Sequence, residues 1–226
     1  MKIDGIIAGI KLTETFIKSC PISFVLIDKL STYGFNKQII DWMKEFLSNR
    51  KQRVVIGENI SKWSNVTSGV PQGSCIGPLL FILYINDMPS VIHHILKLFA
   101  DDSKLIGIIR NAKDSELLQE DINELTKWSR DWRMSFHPEK CKIMDFAKKI
   151  EPPLALTMQT SDPSVRHNLA ESASEKDLGV IVTSNLLFNN HINNSVAKAN
   201  SILGQLRKTF KNWTIGTYNF SSKVIW

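Results

Sequence analysis

The chain has 226 residues, enough for one large domain or a domain and a half. Its 43% apolar and 22% charged residues exclude general disorder, and its longest unbroken apolar run, residues 79–85, falls far short of the roughly 20 that a membrane-crossing helix needs. The formal charge is +6, and no acid follows Asp177 while Lys198, Arg207, Lys208, Lys211 and Lys223 do, so that stretch either attracts a polyanion or simply keeps the surface soluble.

Residues 1–26 carry scattered apolar side chains with no sustained period, and Pro21 interrupts them. No small-residue cleavage site follows the first residues, so no secretory leader is expected. Three cysteines, Cys20, Cys75 and Cys141, form no CxxC pair. They are expected as reduced thiols in an intracellular compartment, nucleus or cytoplasm.

From Asn36 the pattern sharpens. Ile39, Ile40, Met43, Phe46 and Leu47 fall at helical spacing behind an Asn36 cap. Arg53 to Ile56 predicts a strand, Gly57-Glu58-Asn59 a turn, and Trp63 to Thr67 a return strand. Ser68-Gly69-Val70-Pro71-Gln72-Gly73-Ser74 predicts a loop with unusual backbone demands. The apolar run at 79–85 predicts a helix with Pro78 in its first turn, ended by Met88 ahead of Pro89.

Residues 95–109 read as a β-hairpin. Its arms are 95–99 and 105–109, and its tip is Ala100-Asp101-Asp102-Ser103-Lys104. Leu118, Ile122, Leu125, Trp128 and Trp132 mark one face of a helix capped by Asp114 or Ser115. Residues 150–174 read as a loop or weak strands, and 178–182 as a short buried strand. The last helix has Ile192, Val196, Ala199, Leu203, Leu206 and Phe210 on a core face, with Lys198, Arg207 and Lys211 opposite.

The adjacent Asp101 and Asp102 are an ordinary turn in water. Held on a sheet, two carboxylates about 5 Å apart repel by roughly 3 kcal/mol at an effective dielectric of about 20. A divalent cation removes that cost, and Mg²⁺ favours one or two carboxylates plus phosphate oxygens. The glycines of the 68–74 loop either make a structural turn or let a flat base approach, and Gln72 offers donors and an acceptor. Lys140 by itself is a surface lysine. His93, His94 and His137 have no further ligand nearby in sequence and read as surface or loop residues.

Taken together and in order, four pieces are specific. They are Ser68-Gly69-Val70-Pro71-Gln72-Gly73-Ser74, Gly77-Pro78-Leu79-Leu80-Phe81, Tyr84-Ile85-Asn86-Asp87 and Phe99-Ala100-Asp101-Asp102. With Trp128-Ser129, Trp132-Arg133-Met134-Ser135-Phe136, Lys140-Cys141 and Lys176-Asp177-Leu178-Gly179-Val180, they resemble the reverse transcriptase of non-LTR retrotransposons from about Val25 to about Phe210.

That resemblance implies an α+β fold, the right-hand polymerase palm of antiparallel sheet backed by helices, with the start of a helical thumb and the fingers largely missing. It divides the chain into a divergent segment 1–24, a palm 25–184 and a thumb-like segment 185–226. It makes Asp101 and Asp102 the magnesium ligands (manganese serving as an alternative) of a two-metal site that adds a dNTP to a primer 3′-hydroxyl. Lys140 would face the triphosphate. Ser68, Gly69, Pro71, Gln72, Gly73, Phe99 and Ala100 would meet nucleotide and template. Leu178 and Gly179 would lie near the primer, and Lys198, Arg207, Lys208 and Lys211 would grip the backbone. The implied partners are an RNA template, a DNA primer and a dNTP, with no membrane.

The family also needs a third carboxylate on an earlier strand, about ten residues before Lys29-Leu30. Counting back lands on Ser19, whose hydroxyl is not an anionic metal bridge. The expectation is therefore an RNA-directed DNA polymerase by ancestry, truncated and inactive as this chain. The alternative is a non-catalytic nucleic-acid-binding remnant.

Overall fold

Strands with one buried face alternate in burial, and that alternation fixes how this sheet sits. The computed structural model describes residues 6–11, 22–66, 69–71, 73–134, 136–146, 155–160 and 164–209. The chain divides into two compact units, Met1–Ser172 and Ala173–Trp226.

The first unit opens with β1 (Ile6–Lys11), α1 (Ile22–Thr32) and α2 (Lys37–Leu47). Short strands β2 (Lys51–Gln52), β3 (Val55–Ile56), β4 (Asn59–Ile60) and β5 (Ser64–Asn65) follow, then α3 (Gly77–Ile85). Next come β6 (Ile95–Phe99), β7 (Asp102–Gly107), α4 (Ala112–Asp131) and β8 (Lys142–Asp145). The unit closes with β9 (Thr157–Gln159), β10 (Arg166–Asn168) and β11 (Ala170–Glu171).

Five strands form the main sheet in the order β11-β8-β1-β7-β6. All its pairings are antiparallel except β11 with β8, which is parallel, so the sheet is mixed rather than purely antiparallel as expected. β1 is central. It runs 6↔107 to 11↔102 against β7 and 6↔145 to 9↔142 against β8. No sequence pattern announced this strand.

On β7, Ser103, Leu105 and Gly107 are buried while Asp102, Lys104 and Ile106 are half-buried. On β6, Leu96 is buried while Ile95, Lys97 and Phe99 are exposed. One face of the hairpin therefore joins the core, and the other is left more open. The core collects Leu96, Leu105 and Ile143 of the sheet with Leu30 of α1, Leu80 and Tyr84 of α3, and Leu118, Ile122 and Leu125 of α4. Fully burying each such leucine or isoleucine contributes about 1.5–3 kcal/mol.

The caps follow from side-chain oxygens. Asn36 Oδ1 accepts from Ile39 N at 2.9 Å, as expected. At α4 the cap is Asn111, whose Oδ1 accepts from Asp114 N at 3.0 Å, rather than Asp114 or Ser115. Asp114 instead reaches back to Arg110 N at 2.8 Å. α3 begins with Pro78 in its first turn and ends at Ile85; Pro89 sits in a separate 3₁₀ turn, Met88–Val91.

The predicted strand pair at 53–67 forms only two short ladders, β2 with β5 and β3 with β4. Between them two residues (Arg53, Val54) oppose three (Ser61, Lys62, Trp63). The extra residue breaks the ladder as a bulge does.

In the second unit, β12 (Ser174–Asp177) pairs antiparallel with β13 (Val180–Thr183), and α5 (Asn189–Thr209) follows. Leu178 (φ 45°) and Gly179 (φ 91°) form a two-residue turn with both φ positive, the geometry that matches hairpin twist. The expected buried strand at 178–182 thus starts at Val180 instead, and of β13 only Thr183 is buried. No residue of α5 is buried: of its predicted core face Ile192, Val196, Ala199 and Leu203 are exposed and Leu206 half-buried, while Phe210 lies outside the described residues. Among the described residues no helix is long and apolar enough to cross a membrane. Cys75 and Cys141 are free thiols, and Cys20 lies outside the described residues.

Candidate functional site

The acidic pair sits at the end of the β6–β7 hairpin. The tip is shorter than expected: only Ala100 and Asp101 form the turn, and Asp102 is already the first residue of β7, opposite Phe99. Ala100 takes φ 48°, a left-handed value that an alanine adopts only where the strands on both sides force it. Asp101 and Asp102 are both half-buried, and Phe99 is exposed.

The strand beside Asp102 is β1, and its residue in register with Asp102 is Lys11. Ser19, where counting placed the missing acid, lies outside the described residues. The six residues of β1, Ile6-Ile7-Ala8-Gly9-Ile10-Lys11, include no carboxylate. Lys140 is exposed on a 3₁₀ turn, Pro138–Lys140, that packs beside β1. Asp102 and the turn that carries Lys140 thus both lie beside β1.

Among the described residues the donor set is one carboxylate short of the family's pattern. Two carboxylates are present and a lysine stands at the register position next to them. Among the described residues no group of three His, Cys, Asp or Glu is placed to hold a metal.

The glycine loop is tied internally. Ser74 Oγ donates to Pro71 O at 2.7 Å and accepts from Gly77 N at 3.0 Å. Arg50 donates to Leu47 O at 3.0 Å and to Gly69 O. Gly69 and Gly73 both take φ 79°, and a Cβ on Gly77 would meet Ser74 Oγ at 3.0 Å and Pro71 O at 3.1 Å. Gly69 is buried, Gly73 exposed and Pro71 half-buried, while Ser68 and Gln72 lie outside the described residues. The loop's glycines thus answer backbone demands of the turn into α3.

In the second unit, Leu178 is exposed at its turn. Gly179 and Lys198 line one open cavity of about 510 Å³ with Lys176, His191 and Ser195. Arg207 and Lys208 are exposed in the last turn of α5, and Lys211 lies outside the described residues.

Two buried polar centres escaped sequence reasoning. Lys29 of α1 is 6% exposed, and its Nζ donates to Asp87 Oδ1 at 2.6 Å and to Tyr84 O. The ammonium lies 3.7 Å from the Trp132 ring centroid, 5.1 Å from Tyr84 and 5.5 Å from Trp128. Trp128 Nε1 donates to the same Asp87 oxygen at 3.3 Å. Burial pulls the Lys29 ammonium below its ordinary range, and Asp87 opposes that shift. The second centre is Asp121, fully buried on α4. It accepts from the backbone N–H of His93 and His94, both at 2.8 Å, and meets their Nδ1 atoms at 3.1 and 2.6 Å. Burial raises the Asp121 carboxyl, but those four contacts outweigh it and hold the group below the usual carboxylate range. His93 is a surface residue, as expected. His94 lies in the loop before β6, within the expected surface-or-loop reading, and its side chain is 17% exposed.

Residues 25–182 match the protein family described as reverse transcriptase (RNA-dependent DNA polymerase). Among curated proteins, the probable RNA-directed DNA polymerase from transposon X-element of Drosophila melanogaster is 31% identical over 66% of this chain and 16% of its own length. The RNA-directed DNA polymerases from mobile element jockey are 27% identical in Drosophila melanogaster, over 71% of this chain and 18% of theirs, and 29% in Drosophila funebris, over 69% and 17%. The chain thus spans less than a fifth of the length of these relatives.

Proposed function

The chain belongs to the reverse transcriptase family, and on that premise we propose that its first unit is the palm of a non-LTR retroelement polymerase that keeps the scaffold for holding primer and template without the third carboxylate that two-metal nucleotide addition needs. Reverse transcriptases use divalent metals. In an intact member, two ions held by the palm carboxylates activate the primer 3′-hydroxyl and stabilise the leaving pyrophosphate.

In this chain Asp101 and Asp102 occupy the hairpin, Lys140 stands ready for a triphosphate, and the loop from Ser68 to Gly73 with Phe99 and Ala100 flanks the nucleotide and template base. Leu178 and Gly179, with the basic residues Lys198, Arg207, Lys208 and Lys211, supply a thumb-like second unit that meets primer and phosphates. The single observation that supports loss of activity is that β1, the strand paired beside Asp102, carries no carboxylate.

The test is primer extension on an RNA template with Mg²⁺ or Mn²⁺, beside an Asp101→Ala control. The expected result is binding of primer–template without incorporation. Incorporation that disappears in the control contradicts the loss of chemistry. Absence of any nucleic-acid binding contradicts the palm reading itself.

A further inference from the structure

A helix that faces a globular core carries a broad apolar stripe, whereas a narrow seam with a period of about 3.5 residues suits a helix that packs along another helix. α5 has such a seam. Ile192, Val196, Ala199, Leu203 and Leu206 follow one another at steps of four, three, four and three. Yet none of them is buried: Ile192 and Val196 are more than half exposed, and Leu203 is 40% exposed. Leu187 and Phe188, just before the helix, are exposed as well. So much contiguous apolar surface marks an interaction site.

The residues that flank the seam decide what fits it. Asn193, Asn200 and Arg207 lie along one side, and Ser195, Ile202 and Thr209 along the other. Charges at such positions select the partner and its orientation, and Arg207 is the one charge among these six. The seam is therefore compatible with itself. α5 holds no acid, and its other lysines, Lys198 and Lys208, lie off the seam.

We propose that α5 pairs with α5 of a second copy of this chain, antiparallel, along this seam. The two-fold pairing is isologous. Val196 packs on the partner's Leu206 and Ala199 on the partner's Leu203, small against large. Ile202, exposed in one copy, meets the partner's Ile202. Arg207 lies beside the partner's Asn193, whose amide oxygen accepts a hydrogen bond. A parallel pair instead crowds Arg207 and Lys208 of both copies at one end. The strip is about 31 Å long and about 10 Å wide, small against the about 800 Å² that each partner contributes to a standard interface. The dimer is accordingly weak and dissociates on dilution. This pairing does not rest on the reverse transcriptase reading.

The experiment is sedimentation equilibrium of the full chain across a range of concentration. The mass is expected to rise from the 25.7 kDa of one chain to twice that, with a midpoint between about 10 and 100 μM. Val196→Glu with Leu203→Glu, both at exposed positions, is expected to raise the midpoint more than about tenfold. Asn194→Glu with Ser201→Glu puts the same charge on the outer face and leaves the midpoint within about twofold. Orientation is read by cross-linking. With Cys20→Ser and Cys75→Ser in place, Ile202→Cys is expected to join two copies through a short bismaleimide, and Asn194→Cys is not. That readout keeps the seam intact, so it stands even if the glutamate variant loses helix. A single-chain mass at every concentration, a dimer that survives the glutamates in a folded helix, or a dimer without the Ile202→Cys cross-link overturns the proposal. A monomer whose α5 amides exchange slowly also overturns it, because its own chain then covers the seam.

Discussion

Two clusters in the first unit pair a lysine with an aspartate, and they are built in opposite ways. Around Lys29 every requirement is met: the ammonium is 6% exposed, bonded to Asp87 at 2.6 Å and faced by three aromatic rings. Around Asp102 the partner strand places Lys11 alongside by register, but both aspartates remain half-buried at a hairpin end. The first arrangement joins α1 to α3 and α4 and serves the fold. The second is only half-buried, at the end of a hairpin. Both use residues that carry the family resemblance, so a motif residue is not by that fact a functional one.

The comparison breaks most visibly under Asp87→Ala. Removing that carboxylate leaves a buried ammonium without its counter-charge, and a loss of about 3 kcal/mol is expected in denaturant unfolding. Lys29→Met, which removes the charge and keeps the volume, is expected to lose less. Asp101→Ala is expected to change stability by under about 0.5 kcal/mol. Equal losses from Asp87→Ala and Asp101→Ala would erase the distinction between the two clusters.

Asp121 sharpens the same contrast with a smaller effect. Asp121→Asn removes the charge that receives His93 and His94, and a loss of about 2 kcal/mol is expected at neutral pH. The folded carboxyl lies below its unfolded value. Its contribution is therefore present above the unfolded value near about 3.9 and is lost as pH falls through the folded one. Stability measured from pH 6 down to pH 2 is expected to fall more steeply in the natural chain than in Asp121→Asn. Parallel curves would show that the four contacts do not favour the ionised form.

The sequence makes local things readable. Asn36 and the spacing of Ile40, Met43 and Leu47 announce α2, and Leu118, Ile122 and Leu125 announce α4, because cap and period lie within one element. The hairpin is legible for the same reason, although Ala100 hides the true tip: turn chemistry leads one to expect glycine or asparagine at positive φ. β1 is not legible. A central strand need not alternate, and Ile6-Ile7-Ala8-Gly9-Ile10 shows no polar beat. Its partners lie about a hundred residues away, so the placement of Lys11 beside Asp102 appears only once the strands are paired. Lys29 and Asp121 are hidden in the same way over shorter spans, meeting partners 58 residues and 27–28 residues away.

The most direct test of the central claim is to titrate Mn²⁺ into the chain and read free metal by electron paramagnetic resonance. The natural chain is expected to leave submillimolar Mn²⁺ free, and Lys11→Asp, which puts a carboxylate beside Asp102, is expected to take it up. Uptake of two ions by the natural chain, lost in Asp101→Ala, would contradict the loss of the two-metal site.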